Sequence, residues 1–192
     1  MVGKTTVARI IASRLQYSYI STDDIGAGIS AVTDSSSHPA FHYMGNLDYR
    51  EYYIVRSKEE LITDINNQHE ALWPALLRLF EDHATWGSEA IIEGWALRPT
   101  NISTLSGDIN GVFLLSDDSL IERRVRTSDF SNGSSDPDTM IQKYIERSLW
   151  FNHLLRDQVA QLGLNSISVS VGMKPTDIAE DCMQLFVRNV NP

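Results

Sequence analysis

Short apolar runs alternate with longer helical patterns along the chain, and this alternation limits the fold more than any other sequence feature. The runs cover residues 17–22, 89–95, 109–116 and 166–171. Each has the length and composition of a buried parallel strand, and the segments between them are long enough for crossover helices. The sequence therefore predicts an α/β fold with a doubly wound, mainly parallel sheet and helices on both faces.

A glycine, a lysine and two threonines open the first helical pattern, as Gly3, Lys4, Thr5 and Thr6. The apolar residues of positions 7–15 then recur at three- and four-residue spacings, as on an amphipathic helix. In a phosphate-binding loop the glycine lets the backbone approach an anion, and the free helix amides point at that anion. The lysine adds a positive charge, and the first threonine can reach Mg²⁺. These residues are therefore candidates for nucleotide binding, although a plain helix start with an exposed lysine is also possible.

The complete loop motif is G-x-x-x-x-G-K-[ST], and its first glycine would fall before Met1. The strand that normally leads into such a loop would also precede Met1. That strand normally lies in the middle of the sheet, so we expect a central gap. The strands ending near Asp23 and Glu93 should lie on one side of this gap, and the later two strands on the other.

Acidic residues follow two of the expected strands, at the edge where parallel sheets bind ligands. We expect one of Asp23 and Asp24 to cap the next helix and the other to face a substrate or Mg²⁺. Glu93 ends the second strand, where burial of a carboxylate is costly unless a cation or hydrogen bonds compensate. Arg98 lies just beyond it and could supply a basic contact, or it could be solvated.

Three arginines lie on the helical pattern that follows the third strand, as Arg123, Arg124 and Arg126. A polar segment rich in Ser, Asp and Gly comes directly after them. Arginine forks match phosphoryl oxygens, so residues 123–138 have the composition of a lid that closes on phosphates. The alternative is a solvated basic helix end. Arg147, on the next helix, could also face the site.

The middle of the chain is the least regular part. Residues 33–56 are rich in aromatic side chains and could form a mobile segment that covers a substrate, or a loop folded over its own side chains. Ser57 and Glu60 predict a capping box at the start of a long helix. Pro74 predicts a kink there, or two helices in tandem. Residues 33–86 are thus a possible substrate cap within a single domain, 1–192.

The composition of the chain excludes several classes of protein. The hydrophobic fraction of 42% and the charged fraction of 21% are those of a soluble globular domain, with no stretch of membrane-spanning length. A net charge of −9 argues against nucleic-acid binding but not against a small anionic substrate. The single cysteine, Cys182, excludes an internal disulfide and is expected in the core. With no secretory leader pattern, these features predict a cytoplasmic protein, and an oligomer is possible.

The order of these features resembles that of the P-loop small-molecule kinases, and most closely that of the 2-phosphoglycerate kinases. The similarity comprises the loop at residues 3–6, Ser21-Thr22-Asp23, Trp73-Pro74 within the long helix, and Ile92-Glu93-Gly94 followed by Pro99. It covers residues 3–30 and 57–99, and the lid by composition only. It implies an enzyme that transfers the γ-phosphoryl group of ATP, with Mg²⁺, to a small anionic, phosphorylated or hydroxy-acid metabolite.

The resemblance also implies roles for the candidate residues. Lys4, Asp23, Arg123 and Arg126 would be catalytic, and Thr5 and Asp23 would hold Mg²⁺. Contacts to ATP would come from Gly3, Lys4, Thr5, Thr6 and Arg124, and contacts to the acceptor from Asp24, Glu93, Arg98 and Arg147. Two other functions stay open: a nucleotide-binding protein without turnover, which the incomplete loop favours, and an NTP hydrolase.

Overall fold

The computed structural model describes residues 2–105 and 109–188 of the chain. Helices and short parallel strands alternate along it, so the predicted α/β class is confirmed. In chain order the elements are α1 (Lys4–Leu15), β1 (Ser18–Ser21), α2 (Thr22–Val32), α3 (Tyr49–Val55), α4 (Lys58–Thr85), β2 (Ala90–Glu93), α5 (Pro99–Ile102), β3 (Phe113–Ser116), α6 (Asp118–Arg126), α7 (Pro137–Leu162), β4 (Ser166–Val169) and α8 (Pro175–Arg188), with 3₁₀ turns at Pro39–Phe41 and Asp129–Ser131.

The strands form two separate parallel pairs. β1 pairs with β2, so that Ser18 lies opposite Ala90 and Ser21 opposite Glu93. β3 pairs with β4, with Phe113 opposite Ser166. In the described residues no hydrogen-bonded ladder joins the two pairs, so the structure has two small parallel sheets in place of the single doubly wound sheet predicted from the sequence.

A large cavity of about 1230 Å³ lies between the two sheets. Its wall includes β2, residues 112–114 before and within β3, and apolar side chains of α1 and α8. Ile11 and Cys182 are among these side chains. We call this space the central cleft.

Both strands that border the central cleft turn backbone groups toward it. The Ser18 N–H donates to Glu89 O at 3.0 Å, which fixes the pattern of the parallel ladder between β1 and β2. Backbone groups alternate in direction along a strand, so the N–H groups of Ile91 and Glu93 face β1. The N–H group of Ile92 faces the opposite edge of β2. The Phe113 N–H donates to Asn165 O at 2.9 Å, which by the same alternation turns the Leu114 N–H away from β4. No backbone hydrogen bond joins Ile92 or Leu114 N–H to another described element.

Helix α1 packs against both halves of the molecule. Val7 and Ile11 are buried in one cluster with Ile178 and Cys182 of α8, and the helix also packs against β2. Cys182 is 3% exposed, which places it in the core as predicted, and burial raises the pKa of its thiol to about 11. This helix therefore holds the two sheets together across the central cleft.

The aromatic segment packs against the rest of the domain. Tyr52 and Tyr53 are buried in a cluster with Leu61 of α4 and Met140 of α7. The segment also contacts the region predicted as a lid, since Tyr49 Oη donates to Phe130 O at 3.2 Å. Its aromatic rings thus join α3, α4, α7 and the lid region.

One expectation about a helix end was wrong, and one of the two alternatives for the long helix is excluded. Ser21 is the N-cap of α2, and its Oγ accepts from the N–H of Asp23 at 3.2 Å, so neither Asp23 nor Asp24 caps the helix. α4 runs unbroken through Pro74, which excludes two helices in tandem. The buried Leu72 and Leu76 anchor it on both sides of the proline, and this packing offsets the lost backbone bond. The predicted capping box of Ser57 and Glu60 is present.

Within residues 2–105 and 109–188, none of the helices combines the length and apolar character needed to cross a bilayer.

Candidate functional site

The first turn of α1 presents free backbone donors beside the central cleft. Gly3 is the N-cap, with a left-handed φ of 91° that favours glycine, and it provides no capping side chain. The first intrahelical bond runs from Val7 N–H to Gly3 O at 3.1 Å. The amides of Lys4, Thr5 and Thr6 therefore precede the hydrogen-bonded part of the helix, as in anion-binding helix starts.

The carboxylate of Glu93 collects three side-chain donors from two other elements. Lys4 Nζ lies 2.7 Å from its Oε2, and Thr5 Oγ1 and Tyr19 Oη donate to Oε1 at 3.1 and 2.7 Å. Glu93 ends β2 and is 7% exposed. The register of β1 and β2, together with the packing of α1 on β2, brings these four side chains to one point. We call them the Glu93 cluster.

Burial and hydrogen bonding shift the pKa of the Glu93 carboxyl in opposite directions. Burial raises the pKa of its carboxyl, but the hydrogen bonds from Lys4 and Tyr19, the charge of Lys4 and the bond from Thr5 outweigh burial and lower it. Burial and the neighbouring carboxylate raise the pKa of Tyr19. Glu93 is therefore a carboxylate and Tyr19 a neutral phenol donor at neutral pH.

Asp23 approaches the Glu93 cluster from the first turn of α2. Its Oδ2 lies 4.0 Å from Lys4 Nζ, and 64% of the side chain is exposed. Partial burial raises the pKa of Asp23, against the lowering effect of the Lys4 charge. Most of the side chain nevertheless faces solvent. Asp24 is exposed beside it.

A glycine directly after Glu93 allows the end of β2 to approach α2 closely. A Cβ on Gly94 would lie 1.5 Å from Thr22 Oγ1, so no other residue fits there without a backbone shift. Thr22 is fully buried, and its Oγ1 has no hydrogen-bond partner among the described residues. Glu93 thus supplies a charge at the end of β2, and close packing against Thr22 requires a glycine at position 94.

One of the three arginines on α6 reaches the start of α1. Arg124 Nη1 lies 3.9 Å from the position that a Cβ on Gly3 would occupy, and Arg124 lines the central cleft with Gly3 and Lys4. Arg123 and Arg126 are exposed on α6, and no described ion pair joins either to Asp23 or Glu93. The structure therefore places Arg124, and not its two neighbours, beside the candidate loop.

The other two candidate arginines contact residues outside the Glu93 cluster. Arg98 is buried, and its Nε donates to His69 Nδ1 at 3.1 Å. Arg147 lies 5.0 Å from the ring centre of Tyr53 and 5.8 Å from that of Trp95. Neither arginine is paired with the Glu93 cluster in the described part of the chain.

Sequence reasoning missed two residues that matter for these sites. Tyr19 was treated only as part of a strand, although its alternation with Ile20 and its position two residues before the strand end could have placed it beside Glu93. The contact of His69 with Arg98 has no signal in the sequence. Residues so far apart in sequence meet only through helix packing.

Oxygen ligands that suit Mg²⁺ are present at Thr5 and Asp23. The Thr5 hydroxyl is already hydrogen-bonded to Glu93, so any metal contact by Thr5 would compete with that bond. Across the described ranges, no group of three or more His, Cys, Asp or Glu side chains is placed to hold a metal ion. Mg²⁺ often takes only one or two protein ligands, so the site fits this ion in chemistry.

The chain matches no protein-family model, no curated protein and no solved structure.

Proposed function

We propose that this protein is an ATP-dependent phosphotransferase that acts on a small metabolite. The observation that carries the proposal is the convergence of Lys4, Glu93, Asp23 and Arg124 at the open amino end of α1. A basic side chain, free helix amides and an arginine fork at one point suit a polyphosphate. The two sheets would then be the halves of one P-loop-like sheet.

Each residue would contribute a separate effect. Lys4 would leave Glu93 and neutralise the outer phosphates, while the amides of residues 4–6 orient them. Asp23 would accept the proton of the acceptor hydroxyl, and Arg124 would stabilise charge on the transferring group. Bound Mg·ATP would supply the phosphoryl group and neutralise part of its charge. Residues 123–138 are proposed as the lid and residues 33–86 as the substrate cap.

A second candidate function is nucleotide binding without turnover. The observation that favours it is that Lys4 and Thr5 are both held by Glu93. A phosphate must displace a charge-assisted hydrogen bond of 2.7 Å before Lys4 can contact it, and this competition weakens binding.

The test combines binding with turnover. Mg·ATP is added to the wild-type chain, to Lys4→Ala and to Lys58→Ala, in which an exposed lysine at the start of α4 is removed. We expect Mg·ATP to raise the melting temperature of the wild type and the Lys58 variant, but not of Lys4→Ala. ADP formation is then followed with a panel of phosphorylated and hydroxylated acids.

Acceptor-dependent ADP formation that disappears in Lys4→Ala would support the kinase. Binding without ADP formation would favour the second candidate, and ADP formation without any acceptor would indicate a hydrolase. Equal stabilisation of Lys4→Ala and wild type would overturn nucleotide binding at α1.

A further inference from the structure

The open edges of β2 and β3 form two walls of the central cleft. The N–H groups of Ile92 and Leu114 face away from β1 and β4, and no described residue accepts a hydrogen bond from either group. Folded proteins rarely leave buried backbone N–H and C=O groups without partners. Each wall therefore presents backbone donors and acceptors at the spacing of a β-strand.

The side chains along both edges are apolar. Apart from Glu93 at the end of β2, the residues of the two strands that line the central cleft are Ala90, Ile91, Ile92, Phe113 and Leu114. Proteins commonly protect an uncovered edge with charged side chains or a proline. Edges without such protection tend to pair with another polypeptide chain.

Helices contribute further apolar side chains to the central cleft. Ile11 of α1, Phe80 of α4, Leu155 of α7 and Phe186 of α8 all line it. A strand that is buried on both faces carries apolar side chains along nearly its whole length. The walls therefore suit a segment with apolar residues on both faces, hydrogen-bonded through its backbone to β2 and β3.

The size of the central cleft favours a polypeptide over a small molecule. Its volume of about 1230 Å³ exceeds the ~300–1,000 Å³ of most small-molecule pockets. A small apolar molecule would also leave the open backbone groups without partners.

The rim of the central cleft is apolar where α1 ends. Leu15 and Tyr17 line the cleft at this end and are exposed. Trp86, which precedes the cleft-lining Gly87, is 77% exposed. Exposed apolar groups gathered around one opening are typical of a surface that binds another protein.

We propose that the central cleft is a docking site for an extended, apolar segment of another polypeptide, which pairs as a β-strand with both β2 and β3. The segment would accept from the N–H groups of Ile92 and Leu114 and would join the two sheets into one. Edges of four residues each suit a strand of about 4–6 residues. This docking does not require a nucleotide at Lys4, so it can be tested independently of the proposed function.

The probe is a capped peptide with a core of about six valine, isoleucine and threonine residues, flanked by lysines for solubility. The control peptide has the same sequence with alternate amides N-methylated. It keeps the apolar side chains but loses the backbone donors along one edge. Equilibrium titration and melting temperature measure the binding of both peptides.

Two proline variants test the contribution of the cleft wall. Ile92→Pro removes an N–H group that faces the central cleft and keeps the donors of Ile91 and Glu93 to β1. Ser168→Pro is the matched control, because the N–H group of this exposed residue faces the outer edge of β4. Amide exchange of the wild type, with and without peptide, provides a measurement that needs no variant.

We expect the unmethylated peptide to stabilise the wild type and Ser168→Pro. It should bind about tenfold more weakly to Ile92→Pro, and the methylated peptide should bind the wild type about tenfold more weakly. In the wild type, the bound peptide should slow the exchange of the Ile92 and Leu114 amides together. If Ile92→Pro does not fold, this paired protection decides the question.

The proposal is overturned if the unmethylated peptide does not bind, or if both peptides bind equally. Binding that protects neither Ile92 nor Leu114, or only one of them, would also overturn it, because the segment must pair with both strands. Protection of these amides that appears with rising protein concentration, without peptide, would assign the central cleft to a second copy of this chain and overturn docking of a different polypeptide.

Discussion

The ammonium group of Lys4 lies 2.7 Å from the carboxylate of Glu93, at the junction of α1 and the end of β2. The lysine of the candidate loop is therefore already paired with a fixed negative charge. Any anion that binds at this point must compete with a buried carboxylate that also accepts from Thr5 and Tyr19. The strength of this pairing affects both stability and ligand binding.

Replacement of Glu93 by Gln should destabilise the fold. The substitution removes the charge that Lys4 faces and weakens the bonds from Thr5 and Tyr19, at a cost of about 1–3 kcal/mol in the free energy of unfolding. Urea denaturation measures this loss. Glu89→Gln is the control, since Glu89 is exposed just before the same strand. Equal stability of the two variants would show that the Glu93 cluster contributes little.

Removal of the Tyr19 hydroxyl tests one member of the Glu93 cluster by itself. Tyr19→Phe keeps the ring and loses the 2.7 Å bond to Glu93 Oε1, so we expect a loss of about 1 kcal/mol. Tyr17→Phe removes a hydroxyl from an exposed tyrosine two positions earlier and should change stability very little. Chemical denaturation of both variants provides the comparison. A smaller loss for Tyr19 than for Tyr17 would contradict the role assigned to this bond.

Because of His69, the free energy of unfolding should fall as the solution becomes mildly acidic. Its pKa is about 3 in the folded chain and about 6.5 when unfolded, so the unfolded state binds more protons between these values. The stabilisation is complete above pH 6.5 and decreases as the pH falls toward 3. The slope approaches about 1.4 kcal/mol per pH unit.

The measurement is urea denaturation of the wild type and His69→Gln between pH 6.5 and pH 5, above the range in which most carboxylates titrate. The His69→Gln variant should have a lower free energy of unfolding than the wild type. The part of the pH dependence that His69 causes should also be absent from it. His83→Gln, at a more exposed histidine of the same helix, should keep it. An unchanged slope in His69→Gln would show that another group is responsible.

Amide exchange should distinguish the two sides of β2 and β3. The N–H groups of Ile91 and Glu93 face β1 and are protected, whereas that of Ile92 faces the central cleft. We expect Ile92 to exchange faster than its two neighbours. In β3, the Leu114 N–H should exchange faster than that of Leu115 for the same reason. Hydrogen exchange followed by NMR resolves these amides individually, and equal protection along β2 would mean that the open edge is covered.

The sequence predicted the parts of the fold that local patterns determine. The strand end near Asp23, the strand end at Glu93 and the capping box at Ser57 follow from residue types within a few positions. The N-cap of α2 was misassigned because Ser21 and Asp23 are both good capping residues, and the geometry selects the earlier one. At Pro74 the sequence leaves a kinked helix and two tandem helices open, because propensity alone ignores the leucines that hold a single helix in place.

The candidate site was predictable as a set of strand-end and helix-start residues, but its contacts were not. Lys4 and Glu93 are 89 residues apart, and no local pattern indicates that they pair. Likewise, nothing in the sequence separates Arg124 from Arg123 and Arg126. Only the direction of each side chain on α6, fixed by tertiary packing, determines which arginine meets Gly3.

The division of the sheet also affects the mechanics of the site. Glu93 belongs to the β1–β2 half and Arg124 follows β3 in the other half, whereas Lys4 lies on α1, which packs against both. In a continuous sheet, a ladder of backbone bonds would fix the separation between these charges. Here the width of the central cleft sets it, with helices such as α1 acting as tethers. The strength of the electrostatic field at Gly3 is thus set by helix packing, and not by a continuous ladder of backbone hydrogen bonds.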